Sequence, residues 1–147
     1  MAAGAINILP LLADDTLNDI KHIFLNHPTK TNNLGCLLAI DSPPITIRED
    51  GYARMTRTFD LTNGDVLKKH ISWHIVMYCL HKGINTNLSG LQVSHLCHKR
   101  NCANVEHLSL EPQTVNNSRK SCNKKSKTLP PQKKTCCGHT GYPDCIF

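Results

Sequence analysis

The stretch SHLCHKRNCANVEHL, from Ser94 to Leu108, gathers three histidines and two cysteines. Cys97, Cys102 and His107 follow one another with four residues between each, a spacing that lets one loop bring two thiolates and an imidazole to a single tetrahedral ion. A fourth ligand must come from elsewhere; Cys36 and Cys79 are the upstream cysteines, and spacing does not choose between them. A second group follows in Cys122, Cys137, His139 and Cys145, the last three in the pattern C-x-H-x5-C, with Cys136 competing for the place of Cys137. Zinc accounts for both groups, whereas a disulfide framework gives clustered histidines no part. With four protein ligands and no open position for water, both sites read as structural. His95 and His98 remain unassigned by this reading, because a histidine so close to a ligand cysteine cannot easily bind the same ion.

The metal reading depends on the redox compartment. Residues Ala2 to Ala13 are apolar but lack a preceding basic residue, contain a proline and run straight into Asp14 and Asp15, a poor export signal better read as a short helix packed on the domain. No stretch is long enough to span a membrane, which leaves an intracellular, reducing setting. Charge is uneven. The net charge is +6, and between Pro112 and Pro143 seven basic residues, Arg119 and Lys120 among them, meet no acid. An uncompensated run of this kind points to phosphate, and hence to nucleic acid.

The elements that must position these residues follow from periodicity. A chain of 147 residues with 39% hydrophobic content supports one core, so a single domain is expected. Asp14 to His27 has helical spacing and stops before Pro28; Pro28 to Asn33 is a loop; Cys36 to Ile40 is a short strand. Ile45 to Leu61 alternates as a β-hairpin turning at Glu49, Asp50 and Gly51, with Met55, Phe59 and Leu61 on an apolar face and Arg54, Thr56, Thr58 and Asp60 on a polar one. Arg57 falls with the apolar set. Asp65 reads as the N-cap of a helix running to about His81 that turns Val66, Ile71, His74, Ile75 and Tyr78 to the core. Leu91 to His95 reads as a strand, and helix potential runs from Thr114 to about Cys122. The class is α+β.

Residues 94–122 resemble the His-Cys box of the intron-encoded homing endonucleases, members of the ββα-metal or His-Me finger nucleases. The pattern is serine, histidine, leucine and cysteine, a second cysteine, a histidine followed by leucine, and then an asparagine on a helix, met here by Ser94, His95, Leu96, Cys97, Cys102, His107, Leu108 and Asn116. Weaker similarity runs from Cys36 to Cys145. It implies Cys36 as the fourth ligand of the first zinc, and a second zinc at Cys122, Cys137, His139 and Cys145. It divides the chain into an N-terminal helix and loop (1–33), a DNA-contacting hairpin (36–61), a ββα-metal core (93–122) and a second zinc loop (122–145).

The resemblance further implies a site-specific endonuclease for double-stranded DNA that uses two structural Zn2+ and one catalytic Mg2+. His95 would be the general base, Asn116 rather than Asn117 the Mg2+ ligand by its spacing from His95, and Arg54, in the GYAR segment Gly51 to Arg54, the clamp on the scissile phosphate. The hairpin would read the major groove through Arg48, Thr56, Arg57 and Thr58, while Lys120, Lys124, Lys125 and Lys127 meet backbone phosphates. A near-palindromic target implies a homodimer, and RKSCNKKSK reads as a nuclear import patch. One position departs from the family: Gln113 stands where its helix carries a leucine for the minor groove. The competing reading is a zinc-stabilised, sequence-specific DNA-binding module of the same fold without cleavage.

Overall fold

A computed structural model describes residues 7–147. The part of the N-terminal reading that falls on residues 1–6 lies outside the described residues; beyond it, Leu9–Leu11 forms one tight turn of helix that buries Leu9, with Leu12 buried just after it. Helix α1 (Asp14–Asn26) follows, with Asp14 and Asp15 in its first turn, where the helix dipole favours negative charge. It packs Ile20 and Phe24 inward, and ends before Pro28, which cannot continue a helix.

Among the described residues, seven strands form three small antiparallel sheets. Strands β1 (Thr29–Thr31) and β2 (Leu37–Ala39) pair with each other. The segment Pro28 to Asn33 is therefore not the plain loop its composition suggests: all three β1 residues are exposed, so no apolar alternation betrays the strand, and pairing with β2 alone makes it one. The second sheet has the order β3 (Thr46–Ile47), β4 (Ala53–Asp60), β5 (Val66–Ser72). The third pairs β6 (Gln92–His95) with β7 (Leu108–Glu111).

Strand β5 corrects the helix expected from Asp65. The chain instead turns at Asn63, whose side chain accepts from the Asp65 amide, and runs back along the whole length of β4 before α2 (Trp73–Lys82) begins. Pairing with an exposed apolar strand edge outweighs local helix preference. The register places Ile71 against Met55 and Leu67 against Phe59 on the core face, and Val66, expected in the core, is 64% exposed. Helix α2 keeps the rest of the expectation, burying His74 and Tyr78, while Gly83, at φ +140°, ends it.

One apolar cluster joins α1, α2 and the inner face of the β3–β5 sheet around Trp73, Phe24, Phe59 and Met55. Helix α3 (Gln113–Ser126) has few apolar residues and is held chiefly by polar bonds from its interior positions, described below. No helix among the described residues is long and apolar enough to cross a membrane. The strand assignment makes a paired prediction. Phe59→Ala, in a fully buried position opposite Leu67, should cost about 3–5 kcal/mol in urea unfolding, whereas Val66→Thr should stay within about 0.5 kcal/mol of wild type. A comparable loss in Val66→Thr would restore the helix.

Candidate metal cages and the adjoining cavity

Two cages organise the half of the molecule that carries chemistry. Cys36, Cys97, Cys102 and His107 are all buried, and their ligand atoms lie within 4.8 Å of one another. Strand β2 explains how a cysteine more than 60 residues upstream gets there: Leu38 bridges to Cys102, and the Ala103 amide donates to Leu37 O 2.8 Å away, so Cys36 at the strand's start abuts the loop. His107 turns Nδ1 toward the sulfurs, 3.5 Å from Cys36 and 3.8 Å from Cys102. Crowding splits the thiols: hydrogen bonding with Cys97 pushes Cys102 down to about 5 while the same contact pushes Cys97 up. One shared proton does there what a divalent cation does better. Cys79, the rival fourth ligand, sits in α2 inside the apolar core, where burial raises its thiol to about 11.

The second cage corrects one ligand. It brings together Cys122, Cys136, His139 and Cys145, and Cys137 is exposed outside the group. The spacing C-x-H favoured Cys137, but the local backbone turns the other way. The amides of Gly138 and Cys145 both donate to the Cys136 sulfur, at 3.4 and 3.1 Å, and the Cys137 amide donates to the Cys122 sulfur at 3.4 Å, so Cys136 takes the fourth place while Cys137 lies beside Cys122, outside the group of four. His139 has its tautomer set from behind. The Ser118 hydroxyl donates to Val115 O at 2.7 Å, so it must accept from His139 Nδ1, also at 2.7 Å, which leaves Nε2 unprotonated and 3.3 Å from the Cys145 sulfur.

Between the cages opens a cavity of about 530 Å3 lined by Tyr52, His74, Gln92, His95, Arg100 and Asn116, with Arg119, Lys120, Asn123, Lys124 and Lys127 along its α3 wall. His95 ends β6, and its Nε2 donates to the backbone carbonyl of Cys102, a ligand of the first cage, 3.0 Å away. A carbonyl only accepts, so Nε2 carries the proton and Nδ1 keeps its lone pair. Burial pushes the imidazole down to about 4, which leaves it neutral. Asn116 lies one wall over; its Nδ2 donates to Gln92 Oε1, which leaves the carbonyl oxygen Oδ1, a hard donor, as the free end of the amide. Asn117 is exposed and does not line the cavity.

Sequence reasoning missed His74, which it treated as a core residue. The ring is buried between Tyr52, stacked at 5.5 Å, and His95, at 4.3 Å between centroids; burial holds it well below the ordinary histidine range. Only the strand-then-helix path of 66–82 puts it there. His98, at φ +59°, also lines the cavity and stacks on Phe147 at 5.4 Å, with burial pushing it down to about 4.

The remaining candidates divide. Arg54 bonds to Asp50 at 2.8 Å and lies 5.6 Å from the centre of the Tyr52 ring, just outside the cavity lining; Arg100, which does line it, sits 5.4 Å from the same ring. Thr56 and Thr58 are exposed on the outer face of the β4–β5 ribbon, and the register adds His70 opposite Thr56 and Lys68 opposite Thr58. Arg48 reaches Thr56 Oγ1 at 3.4 Å and His70 Nδ1 at 3.3 Å. Arg57 is not part of that face. It pairs with Asp19 of α1 at 2.6 Å and covers the Phe59 ring, as its place in the apolar register requires. Lys120, Lys124 and Lys127 are exposed at the cavity mouth, and Lys125 points away from it. Arg119, counted with them in the sequence, is buried: its guanidinium forks onto Glu111 at 2.7 and 2.9 Å.

The α+β class, with small antiparallel sheets braced by two Cys3His groups that could hold zinc, defines a zinc-stabilised domain. Residues 42–147 match the family described as the zinc-binding loop region of homing endonuclease, and the chain belongs to that family. A comparison with curated proteins finds no match. Membership supports a nuclease or DNA-binding role and a zinc-binding domain. The cage geometry predicts the outcome of two single substitutions, read as zinc content by native mass spectrometry. Cys136→Ser should lose one of two zinc ions per chain, and Cys137→Ser should keep both; the opposite pattern would return the ligand role to Cys137.

Proposed function

We propose that this chain is a site-specific endonuclease that hydrolyses phosphodiester bonds of double-stranded DNA, of the intron-homing type, with His95 as general base. The observation that carries the reading is the bond from His95 Nε2 to Cys102 O, which leaves an unprotonated Nδ1 in the same cavity as the Asn116 carbonyl oxygen. A base held by a rigid cage and a hard oxygen donor across one cleft suit attack on phosphorus by water. The Asn116 carbonyl oxygen, a hard donor, would hold Mg2+, which would supply neutralisation of the charge that develops on the scissile phosphate.

Within this reading His95 Nδ1 takes the proton of the attacking water, and Tyr52 and His74 hold its ring in place by packing. Arg54, released from Asp50, clamps the scissile phosphate, with Arg100 on the cavity side of Tyr52 as its neighbour. Lys120, Lys124 and Lys127 carry the flanking backbone. The ribbon enters the major groove with Thr56, Thr58, Arg48, Lys68 and His70 outward. Arg48 only donates, so His70 Nδ1 accepts and its Nε2–H is offered outward, suited to a purine N7 or O6. A near-palindromic site and a two-fold homodimer complete the proposal.

Supercoiled plasmids bearing genomic fragments that contain the host gene's intron-insertion region, incubated with Mg2+ or with EDTA, test it. Wild type should linearise one class of fragment only with Mg2+. His95→Ala should lower the single-turnover rate by about 10²–10⁴-fold while keeping zinc content and DNA affinity. Binding without any cleavage by wild type would favour the second reading, a zinc-stabilised DNA-binding module. The alanine variant of Lys124 should weaken binding to all sequences and flatten the salt dependence by about one unit of slope. The alanine variant of His70 should relax base preference at one position of each half-site.

A further inference from the structure

Helix α3 brings Asn116 to the cavity, yet its own surface supplies little apolar packing. What holds its middle is Arg119, one turn beyond Asn116 and 1% exposed. Nε and Nη2 donate to the two carboxylate oxygens of Glu111 in β7, and the remaining arm, Nη1, donates to the Cys145 sulfur of the second cage at 3.4 Å. One planar fork thus joins three elements: the strand that follows the first cage, the helix of Asn116, and the loop of the second cage.

We propose that Arg119 is a positioning residue that caps the Cys145 thiolate with an N–H···S bond, tightening the second zinc site and locking the pose of α3, and with it Asn116, to the occupancy of that site. A bond from a fixed donor to a ligand sulfur stabilises the metal-bound thiolate, and outer partners of this kind are typically worth about 10–100-fold in metal affinity. The idea rests on both cages holding zinc. It assigns the second cage a part in the chemistry of the cavity as well as in stability, through a residue that composition places among the phosphate contacts.

The first cage serves as an internal control. In the full chain, Glu111→Leu combined with Arg119→Met removes both buried charges together and avoids stranding one of them, whereas Glu111→Gln keeps the guanidinium and its bond to sulfur. Zinc released to a colorimetric chelator is followed in time, with far-UV circular dichroism as the check on folding. The double variant should release one ion about 10–100-fold faster than wild type and the other at the wild-type rate, and Glu111→Gln should release both at close to wild-type rates. With Co2+ in the cages, the thiolate charge-transfer band should shift in the double variant only. Release of both ions together, or no change in either, overturns the role of Arg119. Fewer than two zinc ions in wild type overturns the underlying zinc reading instead, and is seen before any variant is made.

Discussion

A single hydrogen bond sets the logic of the cavity: the proton on His95 Nε2 is given to the carbonyl of Cys102. Cys102 is at once a member of the first cage and the residue whose backbone fixes that ring, so the cage loop and the His95 ring do not move separately. The bond also decides chemistry. Had the partner been a donor, the lone pair would have faced the protein and the proton the cavity, and the residue could not accept one. His74 and Tyr52 then close the ring's remaining freedom by packing against it at a tilt, at a cost in solvation that shows in how far burial lowers both histidines.

The opposite wall is built by different means. Helix α3 is mostly polar and basic, a composition that by itself gives no reason to adhere to anything. Two internal anchors compensate. Cys122 belongs to the second cage, and Arg119 is neutralised by Glu111 in a place with almost no solvent. A third tie, from Ser118 to His139, sets the imidazole tautomer of that cage. Ion pairs so deeply buried gain little over apolar packing and are more useful for orientation. Orientation is what Asn116 needs, and its amide is turned by Gln92 of β6, the strand that ends in His95.

Much of this was legible in the sequence where ligand spacing or apolar period carried the signal. The four-residue intervals of Cys97, Cys102 and His107 mark a compact cage, and α1, β4, β6 and α3 follow from their patterns. What was not legible depended on long-range contacts. The segment Val66–Ser72 contains helix formers and an apparent cap at Asp65, and only the presence of β4 at its side makes it a strand. The choice between Cys136 and Cys137 turned on which way a loop presents its amides to sulfur, a fact of three dimensions that C-x-H does not encode. Arg119 shares its charge with the exposed lysines that follow it, and nothing in the local sequence distinguishes the one residue turned inward toward Glu111.

That inward turn alters how the basic run should be understood. Removing Arg119 leaves Lys120, Lys124 and Lys127 as a stripe at the mouth of the cavity, spaced by about one helical turn. A stripe along one edge of a helix, repeating at about its 5.4 Å pitch, can follow a regular phosphate backbone where a formless cluster could not. On the polar face of the ribbon of β4 and β5, neither Lys68 nor His70 forms an ion pair with an acid among the described residues. Arg57, in contrast, is occupied by Asp19. The free donors therefore sit on two surfaces flanking one cleft, and the occupied arginines are the ones that hold those surfaces in place.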